Sequence, residues 1–242
     1  MNPQHRNMET VIDAHDLVRT YDADTVPVHA LDHVHLHIAR GEFVALRGPS
    51  GSGKTTLLNM IGGLDRPDAS HVLIDGANIT AMRDRELIEF RLRHIGFVFQ
   101  AYNLIPVLTA RENIEFILLL QQRPAAERRS RVAELLAQVG LSDKAGKRPA
   151  ELSGGQQQRI AVARALAAKP RFVLADEPTA NLDTAAAGNL LDIMSRLNRE
   201  EGMTFIFSTH DPRVIERARR VITLEDGRVV ADEVRNPDRC EN

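Results

Sequence analysis

The stretch Phe43-Val44-Ala45-Leu46-Arg47-Gly48-Pro49-Ser50-Gly51-Ser52-Gly53-Lys54-Thr55-Thr56-Leu57-Leu58-Asn59-Met60 decides the fold. Phe43 to Leu46 read as an apolar strand and Leu57 to Met60 as helix. Between them, Gly48 to Thr55 follow the phosphate-loop pattern G-x-x-x-x-G-K-[ST]. The glycines let the backbone turn its N–H groups inward on phosphates, the helix starting near Lys54 adds a positive dipole end, and the Lys54 ammonium reaches the terminal phosphates. Thr55 is then placed to ligate magnesium. Three glycines with Lys-Thr in this frame, between strand and helix, imply a nucleotide rather than an ordinary turn.

Working outward, 242 residues suit one large α/β domain or one domain with an inserted lobe, and 43% hydrophobic residues suffice for a sizeable core. Thirty-one basic against 33 acidic residues leave a net charge of −2. That balance supplies no electrostatic footprint for nucleic acid, so a DNA or RNA partner is not expected. The single cysteine, Cys240, excludes an internal disulfide framework and a cysteine-rich zinc site and fits a reducing compartment. Met1 to Asn7 lack the apolar core of a signal peptide, and the longest apolar run, Phe116-Ile117-Leu118-Leu119-Leu120, is too short to span a bilayer. If the protein works at a membrane, another chain must anchor it.

After a polar tail to about Thr10, Val34, Leu36 and Ile38 alternate with His33, His35 and His37, the period of a strand with one buried face. With no carboxylate or cysteine obviously placed to complete a ligand set, the three imidazoles read as a solvated strand face, not a zinc site. Strand patterns return at Phe43–Leu46, His71–Ile74, Ile95–Phe99, Phe172–Ala175, Thr204–Phe207 and Val221–Leu224, mostly separated by helical stretches, as in a parallel sheet with crossover helices. Between Gln100 and Lys169 no strand is convincing. Thr109-x-x-Glu112 is a capping box, Pro124 opens a helix closing near Gly140, and another is expected beyond Ser153. This block reads as a helical lobe inserted over about 101–168. Its Arg128, Arg129 and Arg131 read as a solvated helix face.

Arg171-Phe172-Val173-Leu174-Ala175-Asp176-Glu177 is an apolar strand ending in two carboxylates, a Walker B pattern. Asp176 can hold the magnesium ion that Thr55 ligates, while Glu177, pointing differently, can polarise an attacking water. Leu152-Ser153-Gly154-Gly155-Gln156 is the most discriminating segment. Ser and two glycines at a helix start form a second anion-binding end, which one nucleotide does not need within one chain. Here the sequence resembles the ATP-binding cassette (ABC) family, and a plain helix cap is set aside in favour of that reading.

Further segments carry the resemblance over about residues 11–232. Tyr21 is placed like the aromatic that stacks on adenine, Gln100 like the Q-loop glutamine, Asn181-Leu182-Asp183 like the D-loop, and His210 in Ser208-Thr209-His210-Asp211 like the switch histidine. Residues 96–106, Leu108 to Asn113 and Ala175 to Asp183 look like the branch serving lipoprotein release, macrolide-type efflux and antimicrobial-peptide export. The chain departs from that branch at Ala180 and His71, where Gly is usual; a required positive φ would strain alanine at 180.

The resemblance implies an α/β P-loop NTPase core with an antiparallel β subdomain and an inserted helical lobe, in one domain over 11–232 between polar tails at 1–10 and 233–242. It implies ATP and Mg²⁺ as cofactors. Two copies would sandwich two ATP molecules, each held by the phosphate loop, Gly48 to Thr55, of one copy and by the Ser153-Gly154-Gly155 helix end of the other, with Thr56, Gln156 and Asp183 also expected to contact nucleotide. Glu177 would orient water, His210 and Gln100 would sense the γ-phosphate, Lys54 would neutralise charge, and Thr55, Gln100 and Asp176 would hold magnesium. The implied partners are a second copy and an integral membrane permease. The chain would then sit peripherally on the cytoplasmic face of the inner membrane, docked near Ala101-Tyr102-Asn103-Leu104. A soluble single-cassette assembly factor and a binding-only module are the competing classes, the latter at odds with Glu177 and His210.

Overall fold

The computed structural model describes residues 9–21 and 27–235, and these described residues fold into two sheets and seven α-helices. Residues 1–8 and 236–242, and with them most of the expected tails and Cys240, lie outside the described residues.

The smaller sheet is antiparallel, in the order β2 (Val28–Ala39), β1 (Thr10–Tyr21), β4 (Ala69–Ile74), β5 (Ala77–Asn78). The larger follows the order β10 (Arg228–Val234), β9 (Arg220–Glu225), β3 (Phe43–Arg47), β8 (Thr204–Ser208), β7 (Phe172–Asp176), β6 (Ile95–Val98). All its pairings are parallel except β10 with β9. The His71–Ile74 strand therefore belongs to the antiparallel sheet, not to the parallel one suggested by its place in the alternation. β10 escaped the sequence reading and runs through Val234, into the stretch expected to be a tail. Its alternating burial is that of a sheet edge, a weaker pattern than the solid apolar runs of the centre.

Those central runs are buried on both faces, and the period-two geometry of strands sorts their side chains between two cores. Val44, Leu46, Leu174, Ile206 and Ile222 pack with helix α1 (Lys54–Ile61) and the antiparallel sheet. Phe43, Ala45, Val173, Ala175, Phe205 and Phe207 face α5 (Gly154–Leu166) and α6 (Thr184–Glu201). Fully burying Phe172, Phe205 and Phe207 contributes about 1.5–3 kcal/mol each.

Helix α2 (Asp84–His94) precedes β6, and α7 (Pro212–Arg217) follows β8. Between β6 and β7 lie α3 (Ala110–Leu120), α4 (Ala125–Gln138) and α5, with no strand. Thr109 caps α3 reciprocally with Glu112, and Pro124 stands at the N-cap of α4, as the sequence predicts. Two of the three arginines expected on a solvated face do otherwise. Arg128 donates to Glu115 of α3, and Arg131, with its side chain 11% exposed, donates to the carbonyl of Leu166 at the end of α5. Of the three, Arg129 alone is exposed. The pair holds α4 against its neighbours, a role that helical spacing alone cannot reveal.

Candidate nucleotide site

The parallel register aligns the C-terminal ends of three strands: Leu46 of β3 and Asp176 of β7 both pair with Ser208 of β8. Ligands in open α/β sheets bind at such carboxyl ends. The chain leaves β3 through Gly48 to Gly53 and enters α1 at Lys54, with Gly53 at φ 97°, the left-handed region that favours glycine. A Cβ at Gly53 would collide with the carbonyl of Ala30, and one at Gly48 with the carbonyl of Leu224. The loop thus lies close against β2 and β9, its position fixed by those strands.

A cavity of about 620 Å³ opens over this loop, lined by Gly48 to Thr56 together with Gln100, Glu177, Ala180, Ser208, His210 and the end of β2 at Val28 and Ala30. Its size is within the range of small-molecule sites. Lys54 Nζ donates to the carbonyls of Gly48 and Pro49 at 2.8 and 2.9 Å, spanning the loop mouth. Thr55 Oγ1 lies 3.2 Å from both carboxylate oxygens of Asp176, an all-oxygen donor pair of the kind that suits a hard divalent cation. The Ser52 and Ser208 hydroxyls are buried without partners among the described residues, free polar groups at the cavity. Glycine-formed cradle, ammonium, unpartnered hydroxyls and oxygen pair fit a magnesium-bound nucleotide.

Glu177 sits at φ 44°, in the left-handed region, so the backbone turns as it leaves β7. Its Oε1 lies 2.7 Å from His210 Nδ1, and its Oε2 accepts from Thr209 Oγ1 at 3.2 Å. Behind them, Thr179 donates to Asp211 at 2.6 Å, joining the turn after β7 to the turn after β8. Burial raises the Asp211 carboxyl, but hydrogen bonds from the Arg213 side chain, Thr179 and the Arg213 backbone outweigh it and hold the group at about 2. Asn181 Nδ2 donates to the carbonyl of Gln100 at 3.0 Å, tying the Q-loop to the D-loop. Sequence reading missed the supporting roles of Thr209, Thr179, Asp211 and Asn181, because each depends on a partner from another strand end. Ala180 is not among the residues with positive φ, and neither is His71. The turn's left-handed residue is Glu177, and alanine at 180 is unstrained.

Ser153, Gly154, Gly155, Gln156 and Asp183 are not at this cavity. Ser153 is the N-cap of α5, its Oγ accepting from the Gln156 N–H while Gln156 Oε1 accepts from the Ser153 N–H. The capping role set aside in the sequence is therefore present. Asp183 likewise caps α6 through the Ala186 N–H. Tyr21 does not line the cavity either: Arg19 covers its ring at 4.8 Å and its hydroxyl donates to Asp65. Residues 22–26, which follow it, lie outside the described residues.

In the segment expected to form the docking surface, Ala101 and Asn103 are exposed and Tyr102 and Leu104 half-buried. Leu104 packs on the core, Arg164 holds the carbonyls of Tyr102 and Asn103, and the Ile105 backbone is bonded to Asn113. An apolar groove of about 360 Å³, lined by Arg164 together with Leu64, Ile88, Leu92, Phe97, Phe99 and Ile117 among others, lies nearby.

Phosphate loop, Asp-Glu strand end and His210 at the carboxyl ends of one parallel sheet, with a Ser-Gly-Gly helix start elsewhere, match the motifs of the ATP-binding cassettes. Residues 31–180 match the family described as ABC transporter, and the chain belongs to it. It is an ABC ATPase. It is 47% identical over 222 residues to an uncharacterized ABC transporter ATP-binding protein of Thermotoga maritima, covering 92% of this chain and 94% of that one. The lipoprotein-releasing system ATP-binding protein LolD of Anaeromyxobacter dehalogenans is 48% identical, with 88% and 90% covered. The macrolide export ATP-binding/permease protein MacB of Paracoccus denitrificans is 45% identical over 88% of this chain, which spans 32% of that protein. An ATP-binding cassette of Methanocaldococcus jannaschii, solved as a dimer in a post-hydrolysis state bound to ADP and Pi, superposes with a TM-score of 0.85 at 43% identity, covering 93% of this chain and 99% of that one.

Proposed function

We propose that two copies of this chain close on two MgATP and drive a separate membrane permease of the lipoprotein-release or efflux type. One observation carries the reading: the cavity gathers Lys54, Gln100, Glu177 and His210, while the Ser153-Gly154-Gly155 helix start stands apart from it. A second copy supplies that positive helix end to the first copy's γ-phosphate. The dimeric archaeal cassette supports the arrangement.

Within the site, Lys54 and the loop N–H groups bind the phosphates, and Glu177 accepts a proton from the attacking water, its position set by His210 and Thr209. Gln100 and His210 line the cavity where they can read the presence of the γ-phosphate. Magnesium held by Thr55, Asp176 and Gln100 would neutralise charge on the phosphates. Tyr21, at the end of β1, lies off this cavity, and its assignment to the adenine rests on the family resemblance alone. We place the domain from Thr10 to Val234, with the groove between α2, β6 and the helical lobe as its permease-facing part.

Among the described residues no helix is long and apolar enough to cross a membrane. The transporter relatives support a permease contact, which we assign to the apolar groove beside α2, with the chain peripheral on the cytoplasmic face of the inner membrane. The test is ATP-dependent dimerisation by gel filtration, phosphate release, and co-purification with a membrane permease. A chain that hydrolyses ATP without dimerising, or that never co-purifies with a permease, refutes the reading.

A further inference from the structure

The outward face of the antiparallel sheet is unusually rich in imidazole. Strand alternation buries Val34, Leu36 and Ile38, so His35 and His37 of β2 face outward, beside His15 of β1 and His71 of β4. The sequence offered no carboxylate to accompany these histidines, and here the fold corrects it. The β1–β2 register sets Asp13 opposite His37, and the β1–β4 register sets His15 opposite His71. Asp13 Oδ1 lies 2.6 Å from His37 Nδ1 and 2.8 Å from His15 Nε2. The His15 and His37 rings stand edge-on at 75°, their centroids 5.2 Å apart.

Asp13 Oδ1 is buried from solvent, yet no donor among the described residues makes an aligned hydrogen bond to it, despite two ring nitrogens at that range. A buried carboxylate oxygen without an aligned donor is costly, and a cation shared with the two imidazoles relieves it. We propose that Asp13, His15 and His37 bind a divalent transition cation of the zinc type, with His71 in reach as a fourth ligand.

The donor set favours that class. Imidazole with one carboxylate suits zinc and its neighbours, whereas magnesium and calcium take oxygen ligands. The three ligand atoms lie within 4.8 Å of one another. Zinc bonds of about 2.0–2.2 Å put tetrahedral donors about 3.4 Å apart, so small side-chain rotations convert the trio. Three ligands on two hydrogen-bonded strands are held in place by the ladder, and the His71 ring is 5.3 Å from that of His15. His33 and His35 are not in the set. His33 Nδ1 is 2.7 Å from Asp16 Oδ1, and His35 Nδ1 accepts from the Asp16 N–H. None of these residues lines the nucleotide cavity, so the site is separate from ATP chemistry.

The test uses the full chain without an affinity tag, free of nucleotide and in excess magnesium, titrated with zinc against a chromophoric chelator. One zinc per chain is expected, with a rise in melting temperature. His15→Ala and His37→Ala should each weaken binding by at least about 100-fold, beyond the loss typical of an outer-shell partner. Asp13→Asn should also weaken it, and His33→Ala should not. X-ray absorption at the zinc edge of the wild-type chain, independent of how the variants fold, should resolve at least two imidazoles. No imidazole at the zinc, zinc bound no more tightly than magnesium, or undiminished binding by both histidine variants overturns the proposal.

Discussion

His210 Nδ1 and Glu177 Oε1 lie 2.7 Å apart, although one residue follows β8 and the other follows β7. The parallel pairing of Asp176 with Ser208 brings them together, and Thr209 fixes the other carboxylate oxygen. The proposed base is thus held by the residue proposed to sense the γ-phosphate, so that phosphate loss at His210 bears directly on Glu177.

Glu177→Gln keeps the shape and removes the base. Turnover should fall by about 10²–10⁴-fold with ATP affinity retained, leaving a dimer that stays closed. Phosphate release and gel filtration with MgATP check this, and near-wild-type turnover is incompatible with the assignment. Asp176→Asn should instead raise the magnesium concentration needed, since Thr55 loses its charged oxygen partner.

Ser153 serves two purposes that substitutions can separate. Ser153→Asp preserves a good N-cap, so melting should stay within about 0.5 kcal/mol of wild type, but its charge opposes the partner copy's γ-phosphate. ATP-driven dimerisation and turnover should be lost while ATP affinity of the single copy is unchanged. Ser153→Arg should block dimerisation too and also cost about 1 kcal/mol for the lost cap. Weakened single-copy affinity in the aspartate variant would mean the segment acts within its own chain.

Ile88 is 56% exposed in the apolar groove, whereas Leu104 packs on the core. Ile88→Asp should leave stability and basal ATPase nearly unchanged and weaken association with the permease by burying a charge at the contact. Leu104→Asp should lose about 2 kcal/mol or more of stability before any partner is considered. Chemical denaturation and co-purification, run side by side, distinguish the two; undiminished permease binding by Ile88→Asp moves the contact elsewhere.

Asp211, held at about 2 against about 3.9 for an ordinary aspartate, contributes stability that is present above about pH 4 and lost as pH falls toward 2. Asp211→Asn should be less stable than wild type near neutrality, and the gap should close between about pH 4 and pH 2. Urea midpoints across that range measure it. A gap independent of pH would show that the Arg213 and Thr179 contacts do not depend on the charge.

Much of the nucleotide site was legible in the sequence, because the features involved are local. Gly48 to Thr55 must turn and enter a helix within a few covalent bonds, and the reciprocal caps at Thr109 and Ser153 span three residues. Alternation at His33 to Ile38 likewise reports one strand's two faces without knowledge of its neighbours.

What the sequence by itself determined is therefore the phosphate loop, the apolar strand ending in Asp176 and Glu177, the helix starts of the lobe and the family they resemble. Only the tertiary structure decided which strands pair. Register put Asp13 beside His37, moved the His71 strand to the antiparallel sheet, added β10 as an edge, turned Arg131 inward to Leu166 and set His210 against Glu177. These contacts join residues far apart along the chain, and their energies depend on alignment across strands and between helices, which no local spacing encodes.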